Sequence, residues 1–109
     1  MKTIPLFKNT FNESHVEAIS EVITRQKYWA NGPEINLFEK QLSSFSNNKY
    51  GLVFNSGTSA GHALMDLHGV KGKEVIVPSF TFIATANSVL MAGGKPVFAD
   101  IEDKSFGLD

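Results

Sequence analysis

Hydrophobic and polar positions change their period once along this chain, near residue 50. Before that point Val16, Ile19, Val22 and Ile23 recur at three- and four-residue spacing, which predicts a one-faced helix over roughly residues 14–26. Ser14 and Glu17 stand at capping-box spacing at its start. Ile35, Phe38, Leu42 and Phe45 repeat the pattern as the buried stripe of a second helix. Its start carries Asn31 as cap, Pro33 in the first turn and Glu34, and Asn47-Asn48 ends it. Between the two helices Lys27–Gly32 has no period and reads as a loop. Tyr28 and Trp29 sit side by side in it, where aromatic residues either line a binding site or anchor a loop on its own domain.

From Tyr50 onward short apolar runs alternate with helical stretches. Strands are predicted over Tyr50–Phe54, over Glu74–Val77 (ended by Pro78) and over Pro96–Ile101. A helix leaving His62 is stopped by Gly69, and a second, marked by Phe82, Ile83, Ala86, Val89 and Leu90, closes at Gly93-Gly94. The order β-α-β-α-β, with strands apolar on both faces, predicts a mainly parallel sheet covered by helices. Ligands on such sheets lie at the carboxyl ends of strands, here the loops 55–60 and 78–82 and the region after Asp100. Two regions follow: residues 1–49 as a helical arm, and 50–109 as the first part of a sheet domain. The chain stops beside a strand-like run with no closing helix, so a piece of something longer is expected.

The turn Asn55-Ser56-Gly57-Thr58-Ser59-Ala60-Gly61 joins an apolar run to a helix. Free backbone N–H groups and three hydroxyls at a helix N-terminus suit a phosphate, although Ser, Gly and Thr at such a turn also serve as plain caps. Phe82 lies one β-α unit later. Alone it would read as core; paired with a phosphate-capable turn on the adjacent strand end, it offers a ring face to a flat phosphorylated cofactor. Asp100 is a candidate functional carboxylate or a turn cap.

Composition narrows the rest. Net charge is −1, so no basic field points to nucleic acid or an anionic membrane. No cysteine is present, which removes a disulfide framework, a thiolate nucleophile and a cysteine-based metal site. The three histidines are scattered, and no metal site is expected. No apolar run approaches the ~20 residues of a membrane span, and a cytoplasmic location is expected. A Walker lysine, a Gly-x-Gly-x-x-Gly and a Gly-x-Ser-x-Gly elbow are all missing from the turn.

Several stretches together resemble one family. Trp29-Ala30-Asn31-Gly32-Pro33-Glu34-Ile35, Phe38-Glu39, Asn55–Ala60 with His62-Ala63-Leu64, Glu74–Phe82, Ala84–Asn87, Gly94–Phe98 and Asp100-Ile101 look like the N-terminal third of the DegT/StrS-type sugar aminotransferases. The match runs in order over nearly the whole chain. It implies the fold type I, aspartate-aminotransferase large domain of pyridoxal 5'-phosphate (PLP) enzymes, here incomplete. By the resemblance Gly57, Thr58 and Ser59 hold the cofactor phosphate and Phe82 stacks on the pyridine ring. Tyr28 and Trp29 fall in a segment near the substrate, in a family whose sites lie between the subunits of a homodimer.

The same resemblance implies transamination of a nucleotide-linked keto sugar, with glutamate as amino donor, in deoxyamino-sugar biosynthesis. The family's catalytic lysine and the aspartate on the pyridine nitrogen lie later than Asp109. Lys71, Lys73 and Lys95 do not match the lysine motif, so no catalytic residue is assigned here. Two alternatives remain: a PLP-dependent sugar dehydratase of the same family, and a non-catalytic binding or dimerisation module.

Overall fold

The computed structural model describes residues 3–28 and 30–109, and the chain divides into two compact units, 1–51 and 52–109.

The first unit holds helices α1 (Glu13–Thr24) and α2 (Pro33–Phe45). Both helices start from caps other than those the sequence pattern predicts. Asn12, not Ser14, caps α1: its side chain accepts the His15 N–H at 3.4 Å, while its own N–H donates to His15 Nδ1 at 3.1 Å. A histidine closes the box that Glu17 was expected to close, because its ring nitrogen reaches the same N–H. Gly32 caps α2 with no side-chain bond, and Pro33 follows at a position where its missing N–H costs nothing. Asn47, with φ 53°, leaves α2 in the left-handed conformation expected of it. The apolar stripes exist but are not buried: Val16, Ile19, Ile23 and Phe38 are all more than half exposed, and Phe45 is 91% exposed. Two helices make one layer, and a layer buries its face only against another.

The second unit runs α3 (Gly57–Leu67), β1 (Glu74–Pro78), α4 (Ala84–Met91) and β2 (Lys95–Ala99). The two strands pair in parallel, with Ile76 opposite Val97, and α4 is the crossover between them. Helix α4 packs on both strands and on α3. The core therefore lies around α4: Val70, Val77, Ala86, Val89 and Ala92 are buried, Val89 to 2% exposure. Gly69, with φ +59°, ends α3 as expected.

Three sequence expectations change here. Tyr50–Phe54 forms no ladder among the described residues, so the expected first strand is absent and the sheet has two strands rather than three. A strand is defined by its neighbour, and local hydrophobicity cannot supply one. The last strand stops at Ala99, and Ile101 instead makes an isolated antiparallel bridge with Leu108. Phe82 precedes α4 rather than opening it. No helix among the described residues is long and apolar enough to cross a membrane.

Candidate functional site

The turn before α3 is built as an N-cap. Ser56 has extended backbone, and its Oγ accepts the Ser59 N–H at 3.1 Å. Ser59 Oγ lies 2.9 Å from Ser56 Oγ and donates to Asn55 Oδ1 at 3.0 Å. Cap and side-chain ring thus consume Ser56, Ser59 and Asn55. What remains over is the first-turn N–H of Gly57, that of Thr58 and the Thr58 hydroxyl, none with an acceptor or donor among the described residues.

Gly57 and Thr58 lie on a cavity of about 490 Å³ lined also by Gly61, Met65, Phe82, Ala84, Thr85 and Ser88. Of the four residues the sequence nominates for the cofactor, Gly57, Thr58 and Phe82 line this cavity, and Ser59 does not, its hydroxyl being turned into the cap. Phe82 is 77% exposed, a large apolar ring held on the short link from β1 to α4. Thr85 and Ser88 are lining residues that the sequence reading passed over. The signal was their spacing, since residues 81, 85 and 88 fall on one side of a helix and its entry turn. Thr81 and Thr85 hydroxyls lie 2.9 Å apart, and Ser88 Oγ donates to the Ala84 carbonyl at 2.8 Å.

No carboxylate lines the cavity, and the N-terminus of α3 opens on it. Its electrostatics favour an anion, by dipole and free amides rather than by a cation. A volume of this size admits a ligand of one ring and a phosphate. The donor set therefore fits a phosphorylated planar cofactor: two unpaired amides and a hydroxyl for the phosphate, an open ring face for the ring. Among the described residues no cluster of three metal-ligating side chains occurs.

The profile of the DegT/DnrJ/EryC1/StrS aminotransferase family matches residues 9–109. The chain belongs to this family. Among its relatives, the UDP-2-acetamido-2-deoxy-3-oxo-D-glucuronate aminotransferase of Pseudomonas aeruginosa is 36% identical over 86% of this chain and 26% of its own length. The 3-oxo-glucose-6-phosphate:glutamate aminotransferase of Bacillus subtilis is 36% identical over 95% of this chain and 24% of its own. The PLP form of Spr1654 from Streptococcus pneumoniae, a candidate sugar aminotransferase, superposes with a TM-score of 0.87 at 26% identity, over 99% of this chain and 28% of that one. The chain thus spans about a quarter of the length of the relatives it matches, and its fold is part of the PLP-dependent aminotransferase fold.

Among the described residues, Asp100 does not line this cavity. Tyr28 belongs to the first unit and is 60% exposed; Trp29 lies outside the described residues. Asp100 is a cap: its Oδ1 accepts the Ile101 N–H at 2.8 Å. Lys71, Lys73 and Lys95 do not line the cavity, and Lys95 Nζ pairs with Glu74 at 2.7 Å on the strand surface.

Proposed function

We propose that the complete protein carrying this chain is a PLP-dependent aminotransferase that moves the amino group of glutamate to the keto carbon of a nucleotide-linked sugar. In that reading residues 50–109 begin the cofactor domain, residues 1–49 are an arm with a substrate-side loop, and the enzyme works as a cytoplasmic homodimer. The observation that carries it is the shared cavity of Gly57, Thr58 and Phe82, in a chain of this family.

The cofactor, when bound, supplies an electron sink at the carbon that exchanges nitrogen. This chain's share is to hold it. The Gly57 and Thr58 amides and the Thr58 hydroxyl receive the phosphate, and the Phe82 ring covers one face of the pyridine. Ser59 acts at one remove, by holding Ser56 and Asn55 so that the turn keeps its shape. No group of this chain is assigned the proton transfers.

The names of the two relatives share an oxo sugar and differ in its carrier, a nucleotide in one and a phosphate in the other. The test supplies glutamate and PLP to the complete protein, with UDP- or GDP-linked keto sugars in one series and keto-sugar phosphates in another. Equal amounts of 2-oxoglutarate and amino sugar are expected with a nucleotide-linked acceptor. Preference for the sugar phosphate would overturn the nucleotide part of the reading. Loss of water from the sugar with no amino sugar formed would identify a dehydratase.

A further inference from the structure

The loop after α1 holds two non-glycine residues in the left-handed region, Gln26 at φ 53° and Tyr28 at φ 61°. Such backbone is strained for a residue with a side chain and persists only where its surroundings impose it. Here the imposing group is identifiable. Arg25 Nη1 donates to Glu34 Oε1 at 2.5 Å and Nη2 to Glu34 Oε2 at 3.1 Å, while Nε donates to the Lys27 carbonyl at 3.1 Å. One guanidinium therefore ties the end of α1 to the loop and to the first turn of α2.

Gly32 is buried against this fork. A Cβ there would overlap the Glu34 carboxylate, lie 2.8 Å from the Tyr28 carbonyl oxygen and lie 3.1 Å from Arg25 Nη2. The chain thus returns onto the ion pair at a point where only a residue without a side chain fits. The Tyr28 ring is left outward, 60% exposed, with Lys27 Nζ 5.5 Å from its centroid.

The Arg25 side chain is 22% and the Glu34 side chain 53% exposed, and a pair that still meets solvent adds little to stability, which does not account for a fork of three bonds, a closed glycine and two strained residues in one short loop. A bidentate guanidinium fixes geometry, which is what a strained loop requires. We infer that Arg25 and Glu34, with Gly32 packed on them, are positioning residues that hold Tyr28 for the sugar substrate. This rests on the reading of Tyr28 as a substrate contact.

The experiment uses the complete protein with PLP, glutamate and the best keto-sugar acceptor, and compares Arg25→Lys, Glu34→Gln, the charge swap Arg25→Glu/Glu34→Arg, and Tyr28→Ala. Loss of the fork in R25K and E34Q is expected to raise KM for the keto sugar about fivefold or more, with kcat and the KM for glutamate within about twofold. The swap recovers part of the loss, and trypsin cuts faster after Lys27 in E34Q. If Y28A raises the sugar KM while R25K and E34Q leave it unchanged, the positioning inference alone fails. An unchanged tryptic rate in E34Q likewise counts against the fork as what holds the loop. If Y28A leaves the sugar KM unchanged, the substrate reading of Tyr28 fails and the inference with it. A wild-type protein without transaminase activity would overturn the functional reading itself.

Discussion

A Cβ placed on Gly61 would lie 2.9 Å from the hydroxyl of Ser88. Gly61 on α3 thus meets Ser88 on α4 at a point with no room for a side chain, and both residues line the candidate cofactor cavity. Ser88 is buried at 6% exposure, and its hydroxyl donates to the Ala84 carbonyl of its own helix at 2.8 Å, with the Thr58 carbonyl of α3 at the longer distance of 3.5 Å.

Gly61→Ala should gain up to about 1 kcal/mol of helix propensity and lose it again in the clash with Ser88. The double variant Gly61→Ala/Ser88→Ala removes the clash and keeps the propensity. It should be more stable than Gly61→Ala alone, with a coupling of roughly 0.5 kcal/mol or more in a urea-unfolding double-mutant cycle of the complete protein. Additive single effects would show that the two residues do not limit the approach.

Phe82 is 77% exposed in this chain, so its ring contributes little packing within residues 3–109. On the proposed stacking role Phe82→Ala should weaken PLP binding roughly three- to tenfold, the equivalent of about 1 kcal/mol of ring contact. Cofactor titration of the apoprotein reads this directly. Equal affinity in variant and wild type would remove Phe82 from the site.

Glu102 makes a pH-dependent turn. The Ser105 hydroxyl and the N–H groups of Lys104 (2.8 Å) and Ser105 (2.6 Å) donate to its carboxylate and hold its pKa down at about 2. An unfolded glutamate titrates near ~4.3, so the turn is favoured fully above that pH and loses the contribution as the pH falls toward about 2. Amide exchange in residues 102–107 should therefore be slower in wild type than in Glu102→Gln above ~pH 4.3, with the difference closing toward pH 2. A difference that persisted undiminished at low pH would place the stabilisation elsewhere.

The 109-residue chain by itself should self-associate. Ile19 and Ile23 on α1 and Phe45 on α2, and Leu52, Phe54, Leu64 and Leu67 around a second apolar hollow of about 410 Å³, leave broad hydrophobic surface uncovered. Sedimentation velocity should show a weight-average mass that rises with concentration. A monomer with one sharp, concentration-independent unfolding transition would contradict this.

Much of the architecture was legible in the chain because it is local. Val16, Ile19 and Ile23 mark α1, Gly69 and Asn47 end helices where the left-handed conformation is needed, and the parallel pair with its crossover helix follows from apolar runs separated by a helical stretch. The cap of α1 was misplaced because a histidine ring can do the work of a glutamate there. The strand at Tyr50–Phe54 was misplaced because hydrophobic pattern marks capacity to pair and not the pairing itself.

By itself the sequence determined the phosphate-capable turn, the family and the residue types that suit a flat phosphorylated cofactor, since turn chemistry and residue order are properties of neighbours along the chain. The tertiary structure alone decided which groups share a cavity: Thr85 and Ser88 reach it from α4, whereas the cap that occupies Ser59 is local to its own turn. It also decided that Arg25 and Glu34 meet across the Tyr28 loop. The physical reason is common to both: a hydrogen bond or a cavity wall depends on distance in space, which residue order does not encode until the elements have packed.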